Sequence, residues 1–302
     1  MAGTHVIVPG FTPQSWLEVV SRERITRAML VPTMITMLLK TDFPEGTDLS
    51  TLESVLYGAS PMPQAVLIEA FQRLGCDFCQ VYGMTEAAPI VTFMTHEDHR
   101  AGMSGDDADA AARLRSAGPP VVGVDVEIRD PDGTRLAAGQ VGEIVIRGAN
   151  IMAGYLGRPE ETAAALPGDG WYRSGDMGYV DDHGYVFVVD RLKDMIITGG
   201  ENVYSTEVEN ALYRHDDVLE VAVFGVPHEQ WGEAVHAAVT VREGTSVSVD
   251  ELREAARALI APYKVPREIH LSQEPLPKSG AGKILKRNLR AQFSFAESAS
   301  QD

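Results

Sequence analysis

The first ninety residues alternate between helical and strand-like hydrophobic patterns, and this alternation restricts the fold more than any other feature of the chain. Apolar residues recur at helical spacing over 11–24 and again over 63–74. Short runs typical of buried strands cover 27–31, 55–57 and 78–81. Strand–helix–strand order predicts a parallel sheet, whose ligands are expected beyond the carboxyl ends of the strands.

The pattern changes further along the chain. Residues 101–112 are rich in Gly, Asp and Ala and are predicted to form a loop. Two hairpins are then predicted, one around the turn Pro131-Asp132-Gly133 and one around residues 181–184. They predict a small antiparallel barrel or sandwich over residues 119–190.

A third pattern begins after Asp190-Arg191 and predicts a compact α+β domain over 191–302. Its first helix is predicted to open with Ser205 as a capping residue. We therefore expect three parts: the remainder of an α/β domain (1–118), an antiparallel β part (119–190) and the α+β domain. The predicted elements of the last part are a strand at 195–197, a helix at 205–213, strands at 218–226 and 234–241, a helix at 249–259 and a strand at 268–271.

The chain is acidic, and its 302 residues carry a formal net charge of −17. Such a charge disfavours nucleic acid and anionic membrane as partners. Basic residues nevertheless cluster near the C-terminus, which suits a small polyanion such as a nucleotide, or else a solvated terminal helix. These residues are Lys264, Arg267, Lys278, Lys283, Lys286, Arg287 and Arg290.

No apolar run approaches the length of a membrane-spanning helix, and the first residues lack the pattern of a secretory signal, so a cytoplasmic location is predicted. Cys76 and Cys79 are interpreted as buried strand cysteines in preference to a redox pair or half a zinc site. His96 and His99 are interpreted as solvated loop residues in preference to metal ligands.

The segment Tyr82-Gly83-Met84-Thr85-Glu86 follows the third predicted strand. It supplies an aromatic ring, a flexible backbone, a hydroxyl and a carboxylate. A ring can stack on a base, a threonine can hydrogen-bond a phosphate, and a glutamate can hold Mg²⁺ beside it. An ordinary turn at the end of a strand is the alternative interpretation.

Three further positions have the chemistry of a nucleotide site, although each also fits an ordinary loop. Asp176 can accept two hydrogen bonds from a ribose diol, or lie in a β-turn. Arg191 offers a planar donor fork for phosphate or ribose oxygens, or belongs to a surface ion-pair cluster. Gly199-Gly200 permits close backbone approach to a ligand, or forms a tight hairpin.

Lys283 ends the glycine-rich segment 277–283. Delivery of this lysine to a reacting phosphate is one interpretation, and a mobile tail lysine is the other. The phosphate loop G-x-x-x-x-G-K-[ST] does not fit, because Ile284 follows the lysine and Lys278 stands where the first glycine would be.

The order and spacing of these segments resemble one family, the adenylate-forming superfamily of acyl-CoA synthetases, peptide-synthetase adenylation domains and beetle luciferases. The resemblance runs from Thr4 to about Arg290 and includes the stretch from Gly142 to Thr162 with its Gly154-Tyr155. It implies a partial parallel α/β sheet and a small antiparallel β-barrel, followed by a mobile α+β C-terminal domain.

Members of that family activate a carboxylate with ATP, release pyrophosphate, and transfer the acyl group from acyl-AMP to a thiol. The resemblance implies ATP, Mg²⁺ and coenzyme A as cofactors and co-substrate, and a fatty or aryl acid as substrate. It implies Lys283, Thr85 and Glu86 as catalytic residues, with Glu86 as the Mg²⁺ ligand. The nucleotide-binding residues that it implies are Gly58, Ala59, Ser60, Gln80, Tyr82, Gly83, Thr85, Asp176, Arg191 and Lys193.

Lys193 matches the hinge between two domains of the family. Rotation there is expected to withdraw Lys283 and to bring Gly199-Gly200 to the pantetheine channel of coenzyme A. The segment from Gly199 to Tyr204 resembles the acyl-CoA ligase version of this loop. Ser205 stands where many relatives have proline, a departure expected to leave the chemistry untouched.

The family's Gly/Ser/Thr-rich phosphate loop is expected upstream of Thr4 and is not in this sequence. We therefore expect a truncated gene product, a piece of a larger enzyme, or one part of a split enzyme, which needs a missing N-terminal half for adenylation. A non-catalytic nucleotide- or CoA-binding protein is the alternative. A scaffold with a decayed site is disfavoured by the joint retention of Thr85, Glu86, Asp176, Arg191 and Lys283.

Overall fold

The computed structural model describes residues 3–60, 62–242, 244–279 and 283–299. Short 3₁₀ helices cover Thr85–Ala87 and Pro262–Lys264. The α-helices of the described residues are α1 (Pro13–Glu23), α2 (Pro32–Leu39), α3 (Gln64–Leu74), α4 (His96–Ser104), α5 (Ala108–Arg113), α6 (Pro159–Ala165), α7 (Ser205–Leu212), α8 (Val249–Arg257) and α9 (Lys286–Ala299). The strands are β1 (Arg27–Leu30), β2 (Ser54–Gly58), β3 (Asp77–Tyr82), β4 (Thr92–Met94), β5 (Val124–Arg129), β6 (Gly142–Gly148), β7 (Tyr172–Val180), β8 (Val186–Arg191), β9 (Ile196–Thr198), β10 (Glu201–Val203), β11 (Val218–His228), β12 (Gly232–Val241) and β13 (Glu268–Ser272).

The chain divides into two compact units. The first consists of Met1–Ser174 and Gly178–Val188, and the second of Gly175–Met177 and Val189–Asp302. Each unit has its own buried cluster of apolar side chains.

The first unit contains the parallel sheet that the sequence predicts, with strand order β1-β2-β3-β4. β1, β2 and β3 run parallel, and β4 adds an antiparallel strand beside β3. Strand β1 has β2 as its neighbour and stands at the edge of the described sheet. Helices α1, α2 and α3 bury Leu17, Ile35 and Leu67 in one apolar cluster with Phe78 of β3.

Helix α2 has no counterpart among the predicted elements, and Pro32 lies in its first turn, where its missing N–H costs nothing. Two predictions for the first unit are wrong. Residues 101–112 lie in α4 and α5, and α4 begins with a capping box in which Thr95 and Asp98 bond each other's backbone N–H groups. His99 therefore lies in a helix and is fully buried, in contrast to the solvated loop position expected of it.

A second sheet has the strand order β5-β6-β7-β8. β5 and β6 pair antiparallel as the predicted hairpin, and Gly133 in the turn between them has a φ of +84°, which only glycine adopts without strain. All residues of these strands are described, and the order ends at β5 and at β8. The antiparallel prediction is confirmed for the hairpin, but the sheet is open and does not close into a barrel.

The second unit is the predicted α+β arrangement. Its sheet has the order β10-β9-β12-β11, with β13 parallel to β12. Alternate residues of β11 face opposite sides. Val221 and Val223 pack with residues of α7 and α8, whereas Ala222 and Phe224 pack with Leu289 of α9. The sheet is therefore covered by helices on both faces.

The start of α7 differs from the prediction. Tyr204 is the N-cap and makes no side-chain capping bond, and Ser205 is the first helical residue. Ser205 is fully buried, and both its backbone N–H and its hydroxyl bind the carboxylate of Asp190. A carboxylate from the preceding segment thus replaces the serine cap that the sequence suggested.

Within the residues that the structure describes, no helix is both long enough and apolar enough to pass through a lipid bilayer.

Candidate active site

The ends of β2 and β3 lie side by side in the first unit. Gly58 is buried, and a Cβ atom there would lie 2.5 Å from the carbonyl oxygen of Val81. A side chain would therefore force the two strand ends apart. Ala59 follows with a φ of +72°, a left-handed conformation that is unfavourable for alanine, and both Ala59 and Ser60 are exposed. Such strain is typical of segments that bind ligands.

The segment after β3 forms a sharp turn. A Cβ atom on Gly83 would lie 1.8 Å from the carbonyl oxygen of Pro89, so this position accepts only glycine. The 3₁₀ helix Thr85–Ala87 follows at once. It leaves Thr85 exposed and Glu86 half-buried. The predicted hydroxyl and carboxylate are thus presented at the carboxyl end of the parallel sheet.

The Glu86 turn is held by the segment between β6 and α6. The hydroxyl of Tyr155 donates to Glu86 Oε1 at 2.9 Å, and the N–H of Met152 donates to the carbonyl oxygen of Glu86 at 2.8 Å. The side-chain amide of Asn150 donates to the carbonyl oxygen of Ala87 at 2.7 Å. These bonds fix the carboxylate of Glu86 relative to the sheet.

Tyr155 is itself supported. Burial raises its pKa, the hydrogen bond with Tyr172 opposes that shift, and the bond to Glu86 adds to it. The phenol therefore stays protonated at neutral pH and acts as a donor to Glu86. The sequence interpretation noted Gly154-Tyr155 as part of the family resemblance but gave the tyrosine no role.

Gln80 is connected to the buried interior. Its carboxamide lies 3.0 Å from the hydroxyl of Tyr57, which lies 2.9 Å from Nε2 of His99. Burial raises the pKa of Tyr57 and lowers that of His99, so both are neutral. Tyr57 and His99 are contacts of a predicted site residue that the sequence patterns did not reveal.

Glu86 and Thr85 fit a site in which a magnesium ion is bound jointly by the protein and by the phosphates of a substrate. Mg²⁺ is commonly held by one or two carboxylates together with substrate phosphate oxygens. Tyr155 occupies Oε1 of Glu86, which leaves Oε2 for a cation. No group of three or more His, Cys, Asp or Glu side chains suited to a metal occurs in the described part of the chain, so a metal cage made by the protein alone is not seen there.

In the second unit, Asp176 and Arg191 form an ion pair. Arg191 Nε lies 3.0 Å from Asp176 Oδ1. Asp176 is buried, whereas the arginine is exposed. A planar guanidinium beside a buried carboxylate holds that carboxylate in one orientation. The structure thus brings together two of the predicted nucleotide-binding residues, and it places Lys193 on the surface two residues further on.

Gly199-Gly200 forms the tight hairpin between β9 and β10. Both glycines have positive φ values, +59° and +85°, as two-residue hairpins of this hand require. Thr198 and Glu201 pair across the turn. The N–H of Gly199 donates to the carbonyl oxygen of Trp231 at 2.8 Å. Of the two interpretations of Gly199-Gly200, the tight hairpin is the one that the local geometry shows. A role of these glycines in binding coenzyme A stays a prediction.

Lys283 is exposed, and its main-chain carbonyl oxygen accepts a bond from the Ser279 N–H at 2.8 Å. Residues 280–282 of the predicted glycine-rich loop lie outside the described residues. Three residues later, Lys286 Nζ lies 2.7 Å from Glu209 Oε1 and 2.5 Å from Ser205 Oγ. The start of α9, just after Lys283, is thereby anchored inside the second unit.

That anchor continues to the predicted hinge segment. The Ser205 hydroxyl donates to Asp190 Oδ1 at 3.0 Å, and the Arg191 N–H donates to the same oxygen at 2.7 Å. Asp190, Ser205 and Lys286 therefore form one chain of polar contacts. The sequence interpretation assigned no role to Asp190 and counted Lys286 only among the clustered basic residues, because contacts between such distant residues leave no local pattern.

The two cysteines are free thiols. Cys76 is buried and Cys79 is half-buried in β3. Burial raises the pKa of Cys76 to about 12, so this sulfur stays a thiol and not a nucleophilic thiolate. The preferred interpretation of these residues as packed cysteines agrees with this geometry.

Family models match most of this chain. The model described as AMP-binding enzyme matches residues 1–156, and the model described as AMP-binding enzyme C-terminal domain matches residues 207–283. The chain therefore belongs to the AMP-binding enzyme family, and the resemblance to adenylate-forming enzymes is confirmed.

Individual relatives agree with this assignment. A feruloyl-CoA synthase from Amycolatopsis sp is 43% identical over 291 residues, which are 96% of this chain and 56% of that protein. The amide bond synthetase McbA from Marinactinospora thermotolerans has a similar structure, with a TM-score of 0.84 and 37% identity over 95% of this chain and 56% of that one. The o-succinylbenzoate CoA synthetase MenE from Bacillus subtilis, solved with an acyl-adenylate intermediate, has a TM-score of 0.77 and 31% identity over 93% of this chain and 54% of that one. The chain thus spans little more than half the length of these relatives.

Proposed function

We propose that this chain supplies the nucleotide- and thiol-handling part of an ATP-dependent acid–thiol ligase. The reaction would join a carboxylate to AMP with release of pyrophosphate, and then transfer the acyl group to the thiol of coenzyme A. The observation that carries the proposal is the Glu86 carboxylate, held by Tyr155 at the carboxyl end of a parallel sheet beside the exposed Thr85 hydroxyl. The three-part division into 1–118, 119–190 and 191–302 belongs to the same proposal.

In the first unit, we assign the adenine to Gly58-Ala59-Ser60 and Tyr82, and the nucleotide's surroundings to Gln80 and Gly83. Thr85 would hydrogen-bond the α-phosphate. Glu86 would hold Mg²⁺ through its free carboxylate oxygen, and the ion would neutralise charge on the phosphates. The close approach at Gly83 supports this assignment, since a ligand beside a glycine meets bare backbone.

In the second unit, we assign the ribose hydroxyls to Asp176, whose carboxylate Arg191 orients. Lys193 would serve as the hinge and lie near the nucleotide. Gly199-Gly200 would line the path of the pantetheine arm, and the bare backbone of its hairpin supports close approach. Lys283 would bridge the carboxylate and the α-phosphate during adenylation. Removal of one such contact in an active site typically lowers the rate by a factor of about 10²–10³.

The acyl substrate is proposed to be an aryl or a fatty acid. The relative named feruloyl-CoA synthase supports an aryl acid, and the relative named medium/long-chain-fatty-acid–CoA ligase FadD8, from Mycobacterium tuberculosis, supports a fatty acid. We propose that the enzyme is cytoplasmic and acts in fatty-acid or aryl-acid metabolism. Its product would be the acyl-CoA of the acid that it activates. An amine acceptor is the variant that the likeness to McbA supports.

We further propose that adenylation requires a segment equivalent to the N-terminal half of the relatives. Coverage of 56% of the feruloyl-CoA synthase supports this requirement. Without backbone donors for the β- and γ-phosphates, the developing charge on pyrophosphate would lack stabilisation. The alternative proposal is a protein that binds a nucleotide or coenzyme A without turnover.

Pyrophosphate release tests the proposal. The purified chain would be assayed alone and mixed with the N-terminal half of the feruloyl-CoA synthase, using ATP, Mg²⁺ and either ferulate or a saturated fatty acid. We expect release that depends on the acid and on the added half, and acyl-CoA after addition of coenzyme A. Lys283→Ala is expected to abolish most of that rate, and Arg287→Ala, which removes an exposed charge nearby, is the matched control.

The outcomes separate the candidates. Binding of ATP without pyrophosphate release in any mixture would favour the non-catalytic protein. Release that Lys283→Ala leaves unchanged would refute the role of that lysine. Acyl transfer to an added amine in preference to coenzyme A would move the assignment to amide synthesis.

A further inference from the structure

Gln80 is one end of a hydrogen-bonded chain that runs into the interior of the first unit. The hydroxyl of Tyr57 lies 3.0 Å from the atom placed as Gln80 Oε1 and 2.9 Å from His99 Nε2. On the other side of the imidazole, Nδ1 lies 2.7 Å from the carbonyl oxygen of Thr95. Tyr57 is 1% exposed and His99 is 0% exposed, so water does not substitute for a missing partner.

The contact with Thr95 determines the tautomer of His99. A carbonyl oxygen only accepts hydrogen bonds, so Nδ1 carries a proton. Burial lowers the pKa of His99, which keeps the ring neutral. A neutral imidazole has one donor and one acceptor nitrogen, and Nε2 is therefore the acceptor. The donor that faces it is the hydroxyl of Tyr57.

The hydroxyl of Tyr57 has a single proton, and His99 accepts it. The atom of Gln80 that faces Tyr57 must then be a donor, which is the amide nitrogen and not the oxygen. The two ends of a carboxamide have nearly the same shape, so their identity follows from the hydrogen-bond pattern. The opposite orientation would place two acceptors against each other at one of the three contacts, among buried groups that cannot turn to water.

The ring is also fixed in space. Thr95 is the N-cap of α4, and its backbone N–H donates to the Asp98 carboxylate at 3.0 Å. Tyr185 donates to the other oxygen of Asp98 at 2.6 Å. The carbonyl oxygen that orients His99 thus belongs to a firmly held helix start.

We propose that His99, acting through Tyr57, fixes the carboxamide of Gln80 so that its carbonyl oxygen faces away from Tyr57 and is offered to the ligand. Gln80 then presents an acceptor to an N–H or O–H group of the ligand. The identity of that ligand as a nucleotide rests on the proposed function, but the orientation of the amide does not. His99 and Tyr57 are positioning residues, since both are buried and reach the ligand through Gln80.

The first test needs neither ligand nor variant. Nitrogen-15 NMR of the full chain at pH 7 distinguishes the protonated from the unprotonated nitrogen of each histidine. We expect His99 to have a protonated Nδ1 and an unprotonated, hydrogen-bonded Nε2. A proton on Nε2, with or without one on Nδ1, would overturn the proposal.

Gln80→Glu provides the second test with the same readout. Glutamate has only acceptors at neutral pH, so the Tyr57 hydroxyl is expected to turn to it. His99 must then donate from Nε2 while Nδ1 still faces the carbonyl oxygen of Thr95, so Nε2 is expected to change from an unprotonated to a protonated signal and Nδ1 to stay protonated. Unchanged signals in a folded variant would show that Gln80 does not face Tyr57 with a donor.

Ligand binding tests the consequence. With AMP as the probe, Tyr57→Phe is expected to weaken binding by about 3- to 10-fold, since one orienting hydrogen bond is lost. Tyr179→Phe removes a half-buried hydroxyl of the same unit, whose ring stacks on Phe187 at 4.6 Å, and is expected to bind AMP as the wild type does. Equal affinity of Tyr57→Phe and wild type would refute the positioning role. Failure of the wild type to bind AMP would refute the nucleotide assignment, while the NMR results still decide the orientation of Gln80.

Discussion

The hydroxyl of Tyr155 donates a 2.9 Å hydrogen bond to Oε1 of Glu86. It joins the segment before α6 to the turn after β3, and it occupies one of the two carboxylate oxygens. This contact restricts the Glu86 side chain to one rotamer and leaves its second carboxylate oxygen, Oε2, to face a cation. Partners of this kind around a metal-binding carboxylate commonly affect metal affinity as strongly as weak ligands do.

Tyr155→Phe is therefore expected to weaken the Mg²⁺-dependent part of ATP binding by roughly 10-fold. Calorimetric titration with ATP, with and without Mg²⁺, would measure it. Tyr179→Phe is the control, because it removes a phenol hydroxyl of the same unit from a half-buried ring that stacks on Phe187. An equal loss of affinity in the absence of Mg²⁺ would show that Tyr155 acts on the fold and not on the ion.

Gly83→Ala is expected to lower the free energy of unfolding by about 2–3 kcal/mol. The added Cβ would lie 1.8 Å from the carbonyl oxygen of Pro89. This oxygen belongs to the backbone, so the clash cannot be relieved by a change of side-chain rotamer. Urea unfolding monitors the change. Gly10→Ala, at a position with nothing within 4 Å of the added atom, is expected to have little effect. Similar stabilities for both variants would mean that the turn after β3 is more open than described.

Ala59→Gly is expected to raise the free energy of unfolding by about 1 kcal/mol, because glycine adopts a positive φ without the steric cost that alanine has. The φ of Ala59 is +72°. Ala88→Gly, at a φ of +50°, should give a gain of the same sign. A destabilised Ala59→Gly variant would show that the methyl group makes contacts worth more than the strain.

Acidification is expected to destabilise the second unit through His236. This residue is buried beside Phe224, and burial lowers its pKa to about 4, with His270 and His228 acting in the same direction and Glu268 against them. In the unfolded chain this histidine takes up a proton near pH 6.5, whereas in the folded chain it does so only near pH 4. The free energy of unfolding is therefore highest above pH 6.5 and decreases as the pH falls from 6.5 to about 4. The expected loss is about 2–4 kcal/mol.

Urea unfolding at pH 7 and at pH 4.5 would measure this loss. His236→Gln removes the titrating group and is expected to flatten the dependence between these two conditions. If the variant loses as much stability as the wild type, the sensitivity to acid arises elsewhere, for example in paired carboxylates.

Ser205→Ala and Ser205→Pro separate the two bonds that this residue makes to Asp190. Alanine keeps the backbone N–H and loses the hydroxyl, at a cost of about 1 kcal/mol. Proline loses both donors and leaves a buried carboxylate less satisfied, at a cost of about 2–3 kcal/mol, although it suits the first position of a helix. Thermal or urea unfolding gives the order. A proline variant as stable as wild type would show that Asp190 finds other donors.

Local patterns predicted the parallel sheet well. β1, β2 and β3 lie within a few residues of their predicted positions, because short apolar runs between helices are typical of parallel strands. The expected burial of β1 is wrong, since only Leu30 of this strand is buried. The same reasoning failed at α4 and α5. The many Gly, Asp and Ala residues there predicted a loop. The spacing of Thr95 and Asp98, which form a capping box, indicates the start of a helix and was not recognised.

The contacts that complete the candidate site are long-range and left no local pattern. Glu86 and Tyr155 are 69 residues apart, and Ser205 and Lys286 are 81 residues apart. The family resemblance proposed roles for Glu86 and Lys283 because it compares whole motifs. It gave no role to Tyr155 or Lys286, since supporting contacts depend on side-chain packing that a motif does not encode.

Strand β1 stands at the edge of the described sheet, with Met29 71% exposed. One side of this strand therefore offers a row of backbone donors and acceptors to any extended segment that reaches it. Among newly made proteins in a cell, such an edge behaves as a template that recruits strands without regard to their origin. The soluble yield of this chain is therefore expected to fall as its rate of synthesis rises, because more copies then meet with unpaired β1 edges.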